Sequence, residues 1–247
     1  MKLSNIDLKK FSRQIIIKKV GIDGQRKINS SNILIIGMGG LGCPLLIYLA
    51  NSGVKNIGIV DNDKITISNL NRQILFGEKD VGKFKVEVAK NKIKHMAKKI
   101  KIKVFKLKIT KHNIQKILKN YQIVCDGTDN FQTRYIINDY CKKMRKILIT
   151  AAINKFNGQL FKFDFKYKGP CFRCYMPDAP NNELNCETEG IMPPIAGILG
   201  NLQANEVLRT ILDLKPNSNS NIFIFNGEQI SLRKAKIMRD SNCINKC

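Results

Sequence analysis

The sequence predicts an α/β fold: a mostly parallel sheet flanked by helices and extended by antiparallel strands in its C-terminal part. Three observations carry this reading. A strand, a glycine turn, a helix and a second strand run in succession from Asn32 to Asp61. Short apolar runs separated by helix-length amphipathic stretches then continue to about residue 151, the alternation that feeds a parallel sheet. From Gly158 the pattern changes to apolar residues at every second position, as in a strand with one solvated face. No repeat or linker divides the 247 residues, so one domain is expected over 1–247. Its first part, about 30–150, is Rossmann-like and nucleotide-binding; the second part covers about 151–247.

The elements follow in order. Residues 6 to 29 show a helical pattern (Ile6, Phe11, Ile15, Ile16) broken at Gly21 and Gly24. Arg13 within it reads as a solvated arginine on an amphipathic helix. Ile33 to Ile36 is a buried strand ending in Gly37-Met38-Gly39-Gly40-Leu41-Gly42, which fits G-x-G-x-x-G. A helix follows from Pro44 to about Asn51, and a strand from Ile57 to Val60 stops at Asp61. This context raises the motif above a bare glycine match. Glycines let backbone N–H groups approach a phosphate at the positive end of a helix, and an acid at the tip of the next strand can hold a ribose. A nucleotide site is expected here, against the alternative of a tight turn with no ligand.

Asn62 to Phe76 has no clean period and reads as a loop or broken helix; Ser68, Asn69 and Arg72 supply donors close after the acid. A loop over Gly77 to Gly82 precedes a basic helix from about Lys83 to Lys99, with Val86, Val88, Ala89, Ile93 and Met96 as its apolar stripe and Lys85 near its start. Ile100 to Leu107 reads as a strand, Lys111 to Asn120 as a helix, and Tyr121 to Asp126 as a buried strand. Asp129 then stands either at the ligand end of that strand or as the N-cap of the next helix, Phe131 to Cys141. Ile147 to Ala151 is a further buried strand, and Gln159 to Tyr167 is antiparallel. A polar loop, Met176 to Glu189, leads to an apolar helix over Ile191 to Leu212, and strands are expected at Ile222 to Phe225 and Ile230 to Arg233.

Eight cysteines in a chain with no signal-peptide pattern suit metal ligation or free thiols better than disulfides, and a cytoplasmic location is expected. Cys43, Cys125 and Cys141 lie in apolar elements and read as small core residues. Cys171, Cys174, Cys243 and Cys247 form two close pairs that fit a closed tetrahedral zinc site pinning the tail, or stand as free thiols on a mobile end. Cys186 is alone between acidic neighbours, which would raise its pKa, so a passive thiol and a catalytic one remain open.

The formal charge of +24 first suggests an anionic partner. Its lysines are spread through predicted helices and strand edges, and no helix-turn-helix or aromatic-interleaved basic strand accompanies them, so nucleic-acid binding is not expected. No apolar run approaches the ~20 residues of a membrane helix.

Taken together, Ser12-Arg13-Gln14, the glycine turn, Asp61-Asn62-Asp63, Ser68-Asn69-Leu70-Asn71-Arg72-Gln73, Lys85, Thr128-Asp129-Asn130, Cys171-Phe172-Arg173-Cys174 and the terminal cysteines resemble the MoeB/ThiF/HesA family of sulfur-carrier-protein adenylyltransferases, relatives of the ubiquitin-activating enzymes. The resemblance runs over essentially the whole chain. It implies adenylation of the C-terminal glycine of a small ubiquitin-like sulfur carrier ending in Gly-Gly, using ATP and Mg²⁺ and releasing pyrophosphate, for molybdopterin or thiamine biosynthesis. By position, Gly37, Gly39, Gly40 and Gly42 would line the nucleotide and Asp61 would hold the ribose. Ser68, Asn69, Leu70, Asn71, Arg72 and Lys85 would contact the phosphates, and Asp129 would coordinate magnesium with Asn130 beside it. Arg13 would reach the partner subunit of a homodimer, and Cys186 aligns with a thiol that some members link to the carrier. The part from about 151 to 247 would bind the carrier, hold structural Zn²⁺ and form a crossover loop. No rhodanese-like extension follows Cys247, so a separate sulfurtransferase or cysteine desulfurase is expected as sulfur donor. The alternative from the same glycine turn is an NAD-dependent Rossmann oxidoreductase. Against it, neither His95, His112 nor a Tyr-Lys pair sits where hydride transfer would need a proton donor.

Overall fold

The computed structural model describes residues 3–179, 190–214 and 221–247. Eight strands form one sheet in the order β3-β2-β1-β4-β5-β6-β7-β8. The strands β1 (Asn32–Ile36), β2 (Asn56–Val60), β3 (Lys101–Phe105), β4 (Ile123–Asp126) and β5 (Ile147–Asn154) are parallel. The strands β6 (Asn157–Asp164), β7 (Asn221–Asn226) and β8 (Ser231–Lys236) continue it in antiparallel register. The expected change of character after Gly158 is therefore a change of strand direction.

Alternation along β1 builds a core on each side of the sheet. Ile33 and Ile35 face the helices α4 (Gly42–Ser52), α5 (Lys85–Met96) and α9 (Pro193–Ile211), packing with Leu45, Leu49, Val86, Leu199 and Val207. Leu34 and Ile36 face α6 (Ile114–Leu118) and α7 (Phe131–Lys143), packing with Ile117, Ile137, Leu148 and Phe161. Because both faces are covered, the central strands read as unbroken apolar runs. Each fully buried Leu or Ile of these layers contributes about 1.5–3 kcal/mol relative to exposure.

Two expectations need correction. The N-terminal pattern is three helices, α1 (Asn5–Lys10), α2 (Ser12–Ile15) and α3 (Gly21–Ser30), and Gly24 lies inside α3 rather than breaking it. A Cβ at Gly24 would come within 2.7 Å of Leu212, so the glycine serves a close approach of α3 to the end of α9. Met96, placed in the apolar stripe of α5, is exposed at the helix end, while Val86, Val88, Ala89 and Ile93 are buried.

The order β3-β2-β1-β4 sets the site. After β1 the chain crosses to α4 on one face; after β4 it crosses to α7 on the other. The C-terminal ends of β1 and β4 thus diverge side by side, the switch point at which open α/β sheets hold ligands.

Candidate functional site

A cavity of about 850 Å³ opens at this switch point. Its walls include Gly37, Gly39, Gly40, Asp61, Asn69, Arg72, Lys85, Asp129 and Asn130, so the structure brings together nine of the residues singled out in the sequence. The glycine turn is tight. Gly37 has φ 94°, a left-handed conformation, and a Cβ on Gly42 would stand 2.0 Å from the Gly37 carbonyl oxygen. Gly42 therefore closes the turn from behind rather than lining the cavity.

Asp61 ends β2 with its Oδ2 accepting from the Met38 N–H (2.7 Å) and its Oδ1 from the Asp63 N–H (2.8 Å). Burial raises its carboxyl above the ordinary carboxylate range, and Lys85 opposes that shift. Lys85 is not the solvated lysine that its place at the start of a helix suggests. It is buried at the first position of α5, and its Nζ lies 2.9 Å from Asp63 Oδ2. Arg72 stands at the mouth, its guanidinium donating to the Ser68 carbonyl (2.8 Å) and to Asn71 Oδ1 (3.2 Å). Ser68 and Asn71 thus act behind Arg72 rather than on the cavity wall. Leu70 is half-buried and packs against the core.

The two readings of Asp129 separate clearly. Asn130 is the N-cap of α7, its side chain accepting from the Thr133 N–H at 2.9 Å. Asp129 is exposed at the cavity wall, and no hydrogen bond or ion pair engages its carboxylate among the described residues. Beneath it is a network that sequence reasoning did not identify. Asp126 is fully buried and accepts from the Thr128 N–H (2.9 Å), the Thr128 hydroxyl (2.6 Å) and the Thr150 hydroxyl (2.7 Å). Arg134 donates to Thr150 Oγ1 (2.7 Å), to the Thr128 carbonyl (2.7 Å) and to the Ala151 carbonyl (3.1 Å). Together they fix the loop that carries Asp129. The available signal was Arg134, one turn into a helix that starts beside Asp129.

Arg13 is exposed on α2 and does not line the cavity within one chain. Cys186 lies outside the described residues, as does most of the Met176 to Glu189 loop. Cys43, Cys125 and Cys141 are buried; burial pushes the Cys43 thiol up to about 12, and all three are poor nucleophiles.

The sulfur atoms of Cys171, Cys174, Cys243 and Cys247 all lie within 4.8 Å of one another. Cys171 and Cys243 are 3.7 Å apart, and Cys243 and Cys247 3.8 Å. Tetrahedral zinc with sulfur at about 2.3 Å spaces its ligands about 3.8 Å apart, so the donor set and spacing fit such an ion, and the wider C-x-x-x-C is no obstacle. Lys142 Nζ sits 2.8 Å from Cys247 Sγ. Asn245 donates to Asp139 Oδ1 at 2.7 Å, and Arg173 grips both oxygens of the same carboxylate at 2.8 and 2.9 Å. The cluster joins α7, the short helix α8 (Phe172–Tyr175) that follows β6, and the C-terminal segment.

Fold and site define an α/β domain with cationic side chains at its switch-point cavity and a cysteine cluster that could hold a metal ion. The model of the ThiF family matches residues 11–245, and the chain belongs to that family. It is 37% identical over 246 residues to "Adenylyltransferase and sulfurtransferase MOCS3" of Culex quinquefasciatus, covering 98% of this chain and 56% of that one. It is 36% identical over 241 residues to "Probable molybdopterin-synthase adenylyltransferase" of Gracilaria tenuistipitata var. liui, covering 97% and 68%. The chain spans about half the length of the first of these relatives. Among solved structures, the fold matches E. coli MccB with AMPCPP and MccA at TM-score 0.85 and 23% identity, over 99% of this chain and 75% of that one. Among the described residues no helix is long and apolar enough to cross a membrane.

Proposed function

We propose that the protein adenylates the C-terminal glycine of a small ubiquitin-like sulfur carrier ending in Gly-Gly, using ATP and releasing pyrophosphate. One observation carries the reading: two cationic side chains, Arg72 and Lys85, share a cavity with the ribose-side acid Asp61 and the unengaged carboxylate of Asp129. The family and its adenylyltransferase-named relatives do not favour the oxidoreductase alternative.

In this reaction a carrier carboxylate oxygen attacks the α-phosphorus, the bond from that phosphorus to the bridging α–β oxygen breaks, and pyrophosphate leaves. Both reactants are anionic. Arg72 and Lys85 lower their repulsion, and the glycine turn offers backbone N–H groups to phosphate oxygens. The carrier carboxylate is already ionised at neutral pH, so no general base is needed. Asp129, with Asn130 beside it, would hold Mg²⁺, which supplies further charge neutralisation when bound. Zn²⁺ on the cysteine cluster would be structural. Arg13, exposed on α2, would serve the cavity of a partner subunit in a homodimer. Cys186 would give a carrier-linked thiol, and a separate sulfurtransferase or cysteine desulfurase would supply sulfur in the cytoplasm for molybdopterin or thiamine synthesis.

The test is ATP–pyrophosphate exchange by the purified chain with candidate carriers. Exchange that requires the terminal Gly-Gly supports the proposal; no exchange with any carrier, alongside NADH-dependent reduction of a substrate, defeats it. Cys186→Ala should keep exchange and lose sulfur transfer if the thiol links to the carrier.

A further inference from the structure

We propose that Gln73 is a further nucleotide-contacting residue, donating from its side-chain amide to a phosphate oxygen of the bound nucleotide. The inference rests on the nucleotide reading of the cavity and adds a neutral donor to Arg72 and Lys85.

Gln73 is only 3% exposed, yet it lines the cavity. Its Oε1 is shut away from the surface without a hydrogen-bond partner, and among the described residues no hydrogen bond engages its Nε2. Buried carboxamides are nearly always paired, because an unmade hydrogen bond there forfeits the solvation of the group. A glutamine serving only to fill space would be replaced at no loss by a methionine of similar volume. The backbone that carries the carboxamide is held in place. The Gln73 N–H donates to the Asn69 carbonyl at 2.9 Å, its own carbonyl accepts from the Phe76 N–H at 2.9 Å, and the neighbouring Leu75 and Phe76 side chains are buried.

Position decides what it binds. Nε2 lies 3.8 Å from where a Cβ on Gly39 would stand, and the Cγ of Arg72 lies 3.5 Å from the same point on Gly40. The Arg72 N–H donates to the Asn69 carbonyl at 3.2 Å, the acceptor that also holds Gln73. One turn therefore presents a guanidinium stem and an amide to two successive glycines of the phosphate turn. With Oε1 enclosed, the end offered to the cavity is the N–H donor, which calls for an acceptor on the ligand. Phosphate oxygens are the acceptors that a glycine turn and an arginine gather. A neutral donor fixes such an oxygen in place without adding to the net charge of the site.

The experiment is calorimetric titration of the full chain and of Gln73→Met and Gln73→Glu with ATP, AMP and adenosine. Gln73→Met should weaken ATP and AMP by about 10- to 100-fold and leave adenosine unchanged. Gln73→Glu should weaken both nucleotides further, because it turns a carboxylate toward phosphate. Unaltered adenosine binding shows that each variant is folded. Equal loss of AMP and adenosine would place the contact on the nucleoside, and unchanged binding of both ATP and AMP would remove the contact altogether; either overturns the inference. A wild-type chain that binds none of the three would instead overturn the nucleotide reading itself.

Discussion

Lys85 Nζ lies 2.9 Å from Asp63 Oδ2, with the lysine side chain buried and the aspartate more than half exposed. The Lys85 N–H also donates to the Asp63 carbonyl at 3.0 Å, so one residue fixes both ends of the lysine. A buried ammonium gains charge compensation and a fixed position from such a companion. Asp63→Asn should therefore lower carrier-dependent exchange about tenfold. Because the aspartate is exposed, the ion pair itself should contribute under about 1 kcal/mol to stability, and the melting temperature should barely move. Unchanged exchange would show that Lys85 is positioned by the backbone alone.

Arg72→Ala and Asp129→Asn should each reduce exchange by about 10²- to 10³-fold, the usual loss when one group that stabilises transition-state charge is removed. Neither residue holds the core, so thermal unfolding should match the wild type. Residual activity above about a tenth would exclude that residue from the reacting centre.

Gly42→Ala tests the turn itself. A methyl group 2.0 Å from the Gly37 carbonyl cannot be accommodated without moving backbone, and overpacking of this kind costs about 1–3 kcal/mol. Denaturant titration should show that loss together with weakened ATP binding, whereas Gly77→Ala, where a Cβ meets nothing within 4 Å, should change neither by much.

Metal analysis of the purified chain should find about one zinc ion per chain. Strong chelation should release it, expose four thiols to a colorimetric reagent and lower the melting temperature. Replacing Cys243 and Cys247 by serine should reproduce the lower melting temperature without chelator. A metal-free preparation that melts at the same temperature would show that the Asp139, Asn245 and Arg173 contacts suffice to hold the segment.

Asp7 gives a pH signature. Burial pushes its carboxyl pKa up, but hydrogen bonds from the Ser4 N–H and hydroxyl, with Lys55 and Lys99 nearby, outweigh burial and hold it below its ordinary 3.8. A depressed carboxylate contributes stability that is present above the unfolded-state value and lost as pH falls through the lower folded value. Asp7→Asn should thus cost about 0.5–2 kcal/mol at pH 7 and progressively less below pH ~4. A constant difference across that range would mean the effect is packing alone.

Much of this architecture was legible because its signals are local. Ile33 to Asp61 carries strand, turn, helix and acid within thirty residues or so, and each step has its own period or breaker. The shift to antiparallel strands after Gly158 was readable for the same reason. What escaped depends on distance in sequence. Nothing beside Lys85 says that Asp63 will pair with it, because the pairing forms only when the loop folds back along α5. The Asp126, Thr150 and Arg134 network draws on β4, β5 and α7, and no single window contains it. Gly24 misled because glycine breaks a helix and admits a neighbour with the same missing side chain. Only the contact with Leu212 decides between them.

Among the described residues the sheet ends in two strands paired on one side only, β3 at one rim and β8 at the other, and such rims are templates for runaway pairing between molecules. Lys101 and Lys103 project from β3, and Arg233, Lys234 and Lys236 from β8, all exposed. Two molecules meeting rim to rim would bring like charges together before their backbones could bond. Part of the large positive charge thus acts as a colloidal guard. Exchanging these five residues for neutral ones should leave each chain folded and its solution prone to fibres.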